Sequence, residues 1–170
     1  MILPILTYGA AELERVSASV DKFDDELREL ASNMLETMYA APGIGLAAPQ
    51  VGLNIRLIVL DVLAGEQGGN QIVLANPEIH DPQGSQRGEE GCLSIPGITA
   101  MVERPQQVRV TGQDLQGEAV ELKTKDLLAR ILCHEVDHLD GILYLDRLSM
   151  IKRDLMKRKI RRMIRAGEWS

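Results

Sequence analysis

The stretch from His134 to His138 contains two histidines four residues apart, with Glu135 directly after the first. Residues four apart lie on the same face of an α-helix, so both imidazoles can bind one metal ion. Glu135 points about 100° further around the helix, which keeps it out of a tight ligand set and brings it near the water side of the ion. In a chain with only three histidines, this pattern indicates a helical metal site that activates water.

A catalytic site of this kind needs a third protein ligand and leaves one position for water. The candidates are Cys92, Cys133, His80 and the many carboxylates of the chain. Because Cys133 directly precedes His134, its side chain points about 100° away from the His134 side chain around the helix. We therefore expect Cys133 to act as a small buried apolar residue. His80 follows a predicted strand and is expected to be exposed. Spacing favours Cys92, since Gly91 frees the backbone there and no hydrophobic periodicity explains a thiol.

Hydrophobic patterning shows which elements could position these residues. Apolar residues at helical spacing predict helices over about 21–41, 124–139 and 148–166. Asp21 or Asp24 is expected to cap the first helix and Thr124 the second, which carries the two histidines. β-branched or alternating residues predict strands over 55–61 and 71–77 and a hairpin over 107–123.

The order of these elements indicates a fold class. Residues 84–91 are expected to form a polar loop between strands. Strands flanked by helices, without β-α-β alternation, indicate an α+β fold. We expect mostly antiparallel strands packed around the central helix, with amphipathic helices at the N-terminal and C-terminal ends.

The composition is that of a globular domain. With 170 residues, of which 45% are hydrophobic and 26% charged, the chain is expected to form one domain over 1–170. No apolar run approaches the roughly 20 residues of a membrane span, and no secretory signal is visible. Two cysteines do not indicate a disulfide framework, which favours a reducing compartment. We expect a cytoplasmic protein, with an organellar form after removal of a transit peptide as the alternative.

Basic charge is concentrated at the C-terminal end. Residues 147–170 contain nine Lys or Arg and two acids, a net charge of +7; the whole chain has −6, which leaves −13 for 1–146. A basic amphipathic helix can have either of two roles. Its apolar side can pack on the domain while its basic side only faces solvent, or its basic side can bind anions.

Three segments resemble, in this order and spacing, the three motifs of the peptide deformylase family. They are GIGLAAPQVG (43–52), EEGCLSIPG (89–97) and CHEVDHLDG (133–141). The resemblance extends to ANPEI (75–79), to Arg104-Pro105 and to GILYLD (141–146), so that it covers about 34–149. An isolated His-Glu-x-x-His pattern occurs in many metallopeptidases, whereas three coincident motifs are very specific.

The resemblance implies an activity and a metal site. The family removes the N-formyl group from the initiator methionine of new polypeptides, which gives formate and a free amine. Cys92, His134 and His138 would bind the metal, and Glu135 would be the catalytic carboxylate. Iron(II) is implied as the usual active ion, with zinc, nickel or cobalt able to occupy the same ligands.

The resemblance also implies contacts with the substrate. The Gln50 amide and the backbone N–H of Leu93 would bind the formyl oxygen; outside the family context, a loop residue and a core residue would be the better interpretations. An extended peptide is expected to pair with the backbone, while one apolar pocket accepts the methionine side chain. The residues expected to contact the peptide are Gly43, Ile44, Gly45, Gly91 and Arg104. Pairing of Arg104 with Glu89 or Glu90 is the alternative for that residue.

Two features depart from the family pattern. Cys133 stands where the family usually has glutamine, which changes local packing without removing a chemical group from the site. Residues 7–20 lack the Pro-Asp-Pro often found there, so N-terminal details are less well defined by the resemblance than the site is.

The reaction defines the expected partners, and two other classes of function compete with it. N-formylmethionyl nascent peptides are the expected substrates, and the basic C-terminal helix is hypothesised to bind ribosomal RNA. No membrane or DNA partner is expected. A general metallopeptidase would not need Gln50 or a cysteine ligand. A non-enzymatic metal-stabilised adaptor would have a closed site of four ligands and no need for Glu135.

Overall fold

The computed structural model describes residues 1–169. Its helices are α1 (Asp25–Ala40), α2 (Asp126–Leu139) and α3 (Met150–Arg165). Its strands are β1 (Gly45–Ala47), β2 (Leu57–Leu60), β3 (Ile72–Gln83), β4 (Gln86–Cys92), β5 (Ile95–Arg104), β6 (Gln107–Gln113) and β7 (Ala119–Lys125). No helix within residues 1–169 is long and apolar enough to cross a membrane.

The strands form two antiparallel sheets. The larger has five strands in the order β1-β2-β3-β6-β7, and the smaller is the hairpin β4–β5. All the pairings between these strands are antiparallel. The predicted α+β class with antiparallel strands and helices at both ends is confirmed, as is the hairpin that became β6 and β7.

Strand β2 separates two aliphatic layers. Alternate residues of a strand face opposite sides of its sheet. Ile58 and Leu60 therefore pack with α2, whereas Leu57 and Val59 pack with the apolar face of α1. All four are fully buried, and each such side chain stabilises the fold by about 1.5–3 kcal/mol. The helix α2 is held against the sheet by this packing, which fixes its direction through the molecule.

The capping predictions had mixed outcomes. The Asp24 carboxylate accepts the Leu27 N–H at 3.0 Å, so α1 begins as predicted. Thr124 does not cap α2. It lies in β7, and its hydroxyl donates to the Val108 carbonyl at 3.1 Å. The cap residue of α2 is Lys125, which makes no side-chain capping bond.

The prediction of a polar loop over 84–91 was wrong. Most of this segment is β4, which pairs with β5 from Gln86↔Arg104 to Gly91↔Thr99. Six of its residues lack apolar side chains, so no hydrophobic alternation marked the strand. The apolar residues lie on the partner strand, where Ile95, Ile98 and Val102 are buried.

The N-terminal segment connects the elements that carry the three sequence motifs. The Leu6 N–H donates to the Gln50 carbonyl at 2.7 Å, and the Tyr8 N–H donates to the Ser94 carbonyl at 2.8 Å. Further along, the Ser17 N–H donates to the carbonyl of Leu139, at the end of α2, at 2.8 Å. These bonds hold the loop before β2, the β4–β5 turn and α2 in one arrangement.

Candidate active site

Three candidate metal ligands from two distant parts of the chain meet at one point. Cys92 ends β4, and His134 and His138 lie one turn apart on α2. One ligand atom from each lies within 4.8 Å of the other two, and the Cys92 Sγ is 3.5 Å from the His138 Nε2. A thiolate with two imidazoles suits zinc, iron(II) and neighbouring divalent ions. The residues present therefore fit a metal ion.

The orientation of His134 is fixed from two sides. Its Nδ1 lies 2.9 Å from the Glu90 Oε1, which leaves the Nε2 to face the other two ligands. Its ring stacks on the buried Tyr144, with 6.2 Å between the ring centroids. His138 differs in this respect, because its buried Nδ1 has no hydrogen-bond partner among residues 1–169.

The two buried imidazoles have pKa values that shift in opposite directions. Burial, together with the charges of His134 and Arg104, lowers the pKa of His138 well below its ordinary value. Burial acts in the same direction on His134, but hydrogen bonds to Cys92 and Glu90 and the charge of Glu135 outweigh it and raise the pKa to about 10. His138 is thus neutral, as a ligand must be, whereas a metal ion has to displace a proton from His134.

Glu90 is the centre of a buried charge network behind the histidines. Its carboxylate accepts two bonds from Arg104, at 2.9 and 3.0 Å, and one from Arg130, at 2.6 Å. Burial raises the pKa of Glu90, but the bonds from His134 and Arg104 outweigh it and lower the pKa to about 2. Glu90 therefore stays ionised and fixes the orientation of the His134 ring through the contact with Nδ1.

The network continues away from the metal ligands. Arg104 also donates to Asp137 at 2.6 Å, and Arg147 donates to the same carboxylate at 2.7 and 3.0 Å. Arg104 is only 4% exposed and does not line the cavity beside the metal ligands. The substrate contact expected for Arg104 is therefore corrected: pairing with Glu90, the alternative, is what the structure contains.

Glu135 lies against the first glycine-rich motif. A Cβ added at Gly45 would stand 2.5 Å from the Glu135 Oε1, so only glycine leaves room for the carboxylate. The Oε2 of Glu135 is buried and has no hydrogen-bond partner among residues 1–169. Burial raises the pKa of Glu135 to about 7, against the charges of His134 and Arg104. A carboxyl group with this pKa can both accept and donate a proton near neutrality.

The Gln50 side chain points towards the metal ligands. Its Oε1 accepts the Ala47 N–H at 2.9 Å, which leaves the Nε2 to donate to the Ser94 Oγ at 3.1 Å and to approach the Cys92 Sγ at 3.6 Å. Sequence reasoning missed Ser94, although it lies two residues after Cys92 in a motif already singled out. Its position two residues after a candidate ligand was the signal that could have identified it.

A cavity of about 690 Å³ opens beside these groups. The residues expected to contact a peptide line it, with the exception of Arg104: they are Gly43, Ile44, Gly45 and Gly91. Gln50, Leu93, His134 and Glu135 line it as well. A Cβ at Gly43 would stand 2.9 Å from the Leu93 Cδ1, so the two motifs pack closely across the cavity.

The other candidate ligands lie elsewhere. Cys133 is buried as expected, and burial raises the pKa of its thiol to about 11. His80 is half-buried rather than exposed, and its Nε2 lies 2.7 Å from the Thr111 hydroxyl. Neither residue joins the cluster of three ligands.

A carboxyl group beside three candidate metal ligands, open to a cavity, is the arrangement of metal-dependent hydrolases. Comparison with known proteins identifies the family within that class. Residues 2–154 match the model of the polypeptide deformylase family, and the chain belongs to this family. Peptide deformylases are hydrolases that remove the N-formyl group from the initiator methionine of nascent polypeptides.

Relatives match almost the whole chain. A peptide deformylase of Acidobacterium capsulatum is 49% identical over 169 residues, which is 99% of this chain and 99% of that protein. One of Thermodesulfovibrio yellowstonii is 48% identical, over 94% of this chain and 97% of that protein. The crystal structure of a Legionella pneumophila peptide deformylase superposes with a TM-score of 0.92 at 39% identity, over 100% of this chain and 99% of that chain.

Proposed function

We propose that Glu135 is the proton-transferring group of this deformylase and that Cys92, His134 and His138 bind its metal. The observation that carries the proposal is the Glu135 carboxyl, held against Gly45 next to the three ligands with a pKa of about 7. When bound, a divalent ion supplies a Lewis acid that polarises a carbonyl and lowers the pKa of water.

Glu135 moves one proton during the reaction. As the oxygen of water bonds to the formyl carbon, the carboxylate accepts a proton from that water. When the carbon–nitrogen bond breaks, the same proton passes to the departing nitrogen, because an amine leaves poorly as an anion. The products are formate and a peptide with a free N-terminus. One carboxyl group is both base and acid, which a pKa near neutrality supports.

Gln50 and Leu93 stabilise the charge that develops on the formyl oxygen. The Gln50 amide is fixed by Ala47 and Ser94, so its Nε2 donates without first reorganising. The Leu93 N–H follows directly after Cys92 in the turn between β4 and β5. One donor of this kind contributes about 3–4 kcal/mol to the transition state.

The peptide lies extended along β1. This strand is at the edge of the five-stranded sheet, so its outer side can pair with an added strand. The Ile44 carbonyl already accepts the Asp61 N–H at 2.9 Å, and pairing therefore uses other backbone groups of 43–45. Main-chain pairing accepts many sequences, while Gly91 and the apolar part of the cavity contact the first side chain.

Iron(II) is the proposed metal. The ligand set is compatible with iron(II), zinc, nickel and cobalt, and the choice of iron rests on the family. Anaerobic purification followed by metal analysis tests it: iron should be bound and should support higher activity than zinc at equal occupancy. Equal activity with zinc would reject iron as the metal that the site requires.

Formate release from formyl-Met-Ala-Ser by the wild type and by Glu135→Gln tests the assignment. We expect at least a 10²-fold loss of kcat in the variant, with bound metal unchanged, because the proton acceptor is lost. Glu29→Gln, at an exposed position of α1 that does not line the cavity, is the matched control. Cleavage of unformylated peptides would instead favour a general metallopeptidase.

The partners of the enzyme are nascent chains and, through α3, the ribosome. The helix α3 exposes Ile151 and Leu155 beside its basic residues, and 1–170 would form one catalytic domain in which 147–170 is the docking helix. Because ribosomes make the substrate, a cytoplasmic location is proposed, with an organelle as the alternative. A variant that lacks the segment after Ser149 should bind ribosomes more weakly, and its affinity should depend less on salt concentration. Unchanged ribosome binding by this variant in its folded state would reject the role of α3.

A further inference from the structure

The helix α3 has two apolar stripes, and only one of them is packed. Its inner side carries Met156, Ile160 and Met163, which pack on the β4–β5 hairpin. On its outer side, Ile151 and Leu155 lie four residues apart and share a face. Their side chains are 75% and 55% exposed. Packing of α3 on its own domain therefore leaves a second apolar stripe uncovered.

Basic side chains continue the outer face of α3. Arg158 and Arg162 follow Leu155 at spacings of three and seven residues, on the same side of the helix, and both are exposed. Residues 150–165 contain eight Lys or Arg and one acid, a net charge of +7. None of these eight bases forms a salt bridge with a carboxylate among residues 1–169. The outer face of α3 is therefore both apolar and strongly cationic.

An apolar groove lies beside the start of α1, outside the candidate active site. It has a volume of about 450 Å³. Its apolar lining residues come from α1 and from the segments on either side of it: they are Val20, Leu27, Leu30, Leu53 and Ile55. Leu53 is 45% exposed, so the groove presents an accessible apolar surface to a partner.

The rim of this groove is acidic. Three of its lining residues are acids and one is a base: Asp21, Asp24, Glu26 and Lys22. The segment 21–29 contains five acids and two bases, a net charge of −3. None of the three lining acids forms a salt bridge with a base in the part of the chain that the structure describes. The groove therefore favours a partner that is cationic and has an apolar side.

The groove and the outer face of α3 do not meet within one molecule. The helix α1 packs against β2, whereas α3 packs on the β4–β5 hairpin, and the two helices belong to separate apolar clusters. Since the inner stripe of α3 holds the helix on the hairpin, its outer stripe remains exposed in its own chain. A helix that fills the groove has to come from another molecule.

We propose that the groove beside α1 binds the outer face of α3 from a second copy of this chain. The charges are complementary, because +7 on the helix meets −3 on the segment that forms the rim. The contact joins two different surfaces, so a bound copy still offers a free groove or a free helix to the next one. It does not depend on the deformylation mechanism. It should weaken with salt, because surface charges are screened.

Analytical ultracentrifugation of the full-length, metal-loaded enzyme tests the self-association. Protein concentration is varied from about 5 µM to about 500 µM, because weak association follows mass action. At about 0.02 M salt the weight-average mass should rise by about 1.5-fold or more over this range, whereas at about 0.5 M salt it should stay that of the monomer. A monomer throughout the range at low salt would overturn the inference.

Two variants and a matched control locate the contact. Leu53→Asp in the groove and Ile151→Asp on the helix should each abolish the rise in mass. Met101→Asp is the control, because Met101 is 46% exposed, as Leu53 is at 45%, but belongs to neither surface. It should associate like the wild type. Loss of association in the control alone would overturn the inference.

Mixing the two defective variants distinguishes this contact from a symmetric one. Leu53→Asp keeps an intact helix face, and Ile151→Asp keeps an intact groove. An equimolar mixture should therefore form a complex of two molecules and nothing larger, although neither variant associates by itself. A mixture that stays monomeric would overturn the inference, as would self-association of either variant at the wild-type level.

Thermal unfolding checks that each variant is folded. If Leu53→Asp does not fold, the charge reversal Glu26→Lys at an exposed position of the rim takes its place and should abolish the association in the same way. A different occupant of the groove is also detectable. If the wild type stays monomeric at low salt while Leu53→Asp binds ribosomes more weakly, the groove serves the ribosome and the inference is overturned.

Discussion

The backbone of Gly45 and the carboxylate of Glu135 are in such close contact that a methyl group on Gly45 would stand 2.5 Å from the Oε1. Gly45→Ala must therefore displace the carboxylate. We expect kcat to fall on the order of 10²-fold, since a shift of about 1 Å in a catalytic group has an effect of that size. Steady-state kinetics with formyl-Met-Ala-Ser measures it. Gly68→Ala, where an added Cβ meets nothing within 4 Å, is the control, and equal activity of the two variants would contradict the prediction.

Ser94→Ala should weaken catalysis without changing the ligand set. The Ser94 hydroxyl accepts a bond from the Gln50 Nε2 at 3.1 Å, and its loss leaves the amide less well oriented. A neutral hydrogen bond contributes about 1 kcal/mol, so kcat should fall roughly five-fold. Metal content should remain that of the wild type. A loss of metal in this variant would show that Ser94 supports Cys92 rather than Gln50.

Glu90→Gln should reduce both stability and metal affinity. The change leaves Arg104 and Arg130 buried with less compensation, and breaking a buried ion pair costs about 3–5 kcal/mol. Denaturant unfolding measures the free energy, and competition with a chelator measures the metal affinity. Glu89→Gln removes the same charge from the exposed neighbour and should change the free energy of unfolding by less than about 0.5 kcal/mol. Similar losses of unfolding free energy in the two variants would contradict a stabilising role of the Glu90 charge network.

Asp61 should make stability depend on pH. The Tyr39 hydroxyl donates to its carboxylate at 2.7 Å, and this bond, with the N–H groups of Leu63 and Gly65, lowers the pKa of Asp61 below its usual 3.8. Because the folded state has the lower pKa, the stabilisation is complete above about pH 4 to 5 and is lost as the pH falls further. Thermal unfolding of the wild type and of Asp61→Asn should therefore differ at pH 7, and the difference should shrink as the pH falls below 3.8 through the lowered pKa of Asp61. A difference that stays constant down to the lowest pH at which both proteins fold would exclude ionisation as its cause.

Metal removal should expose one thiol and not the other. Cys92 is half-buried at the cavity, whereas Cys133 is 8% exposed and burial raises the pKa of its thiol. Since only the thiolate reacts, a chelator should allow a thiol reagent to modify Cys92, while Cys133 should react only after unfolding. Peptide mapping by mass spectrometry identifies the modified residue. Rapid modification of Cys133 in the folded protein would contradict its burial.

The sequence was informative where chemistry is local. The spacing of His134 and His138 predicted a shared helix face, and the amphipathic patterns located α1 and α3 to within a few residues. Strand β4 was missed because its apolar partners belong to β5. The charge network was only partly visible: pairing of Arg104 with Glu90 was one alternative, but its link to Asp137 depends on tertiary packing.

Contacts between distant residues explain the remaining differences. Ser94 was missed because its bond to Gln50 joins residues from separate motifs. Arg130 is followed on α2 by Ile131 and Leu132 and has no unusual sequence context. Only the fold shows that its guanidinium lies on Gly88, because no periodicity in one chain records which glycine faces which side chain.

The anchoring of Leu6 to Gln50, Tyr8 to Ser94 and Ser17 to Leu139 has a consequence for biogenesis. Residues 6–17 can make these bonds only after the β4–β5 turn and α2 have been synthesised. Folding that depends on such non-local contacts is slow compared with local helix formation. The three sequence motifs are therefore joined in their final arrangement only when α2 is present and residues 6–17 have docked. A shorter fragment that ends before α2 would lack both histidines of the candidate site and the last of these anchoring bonds.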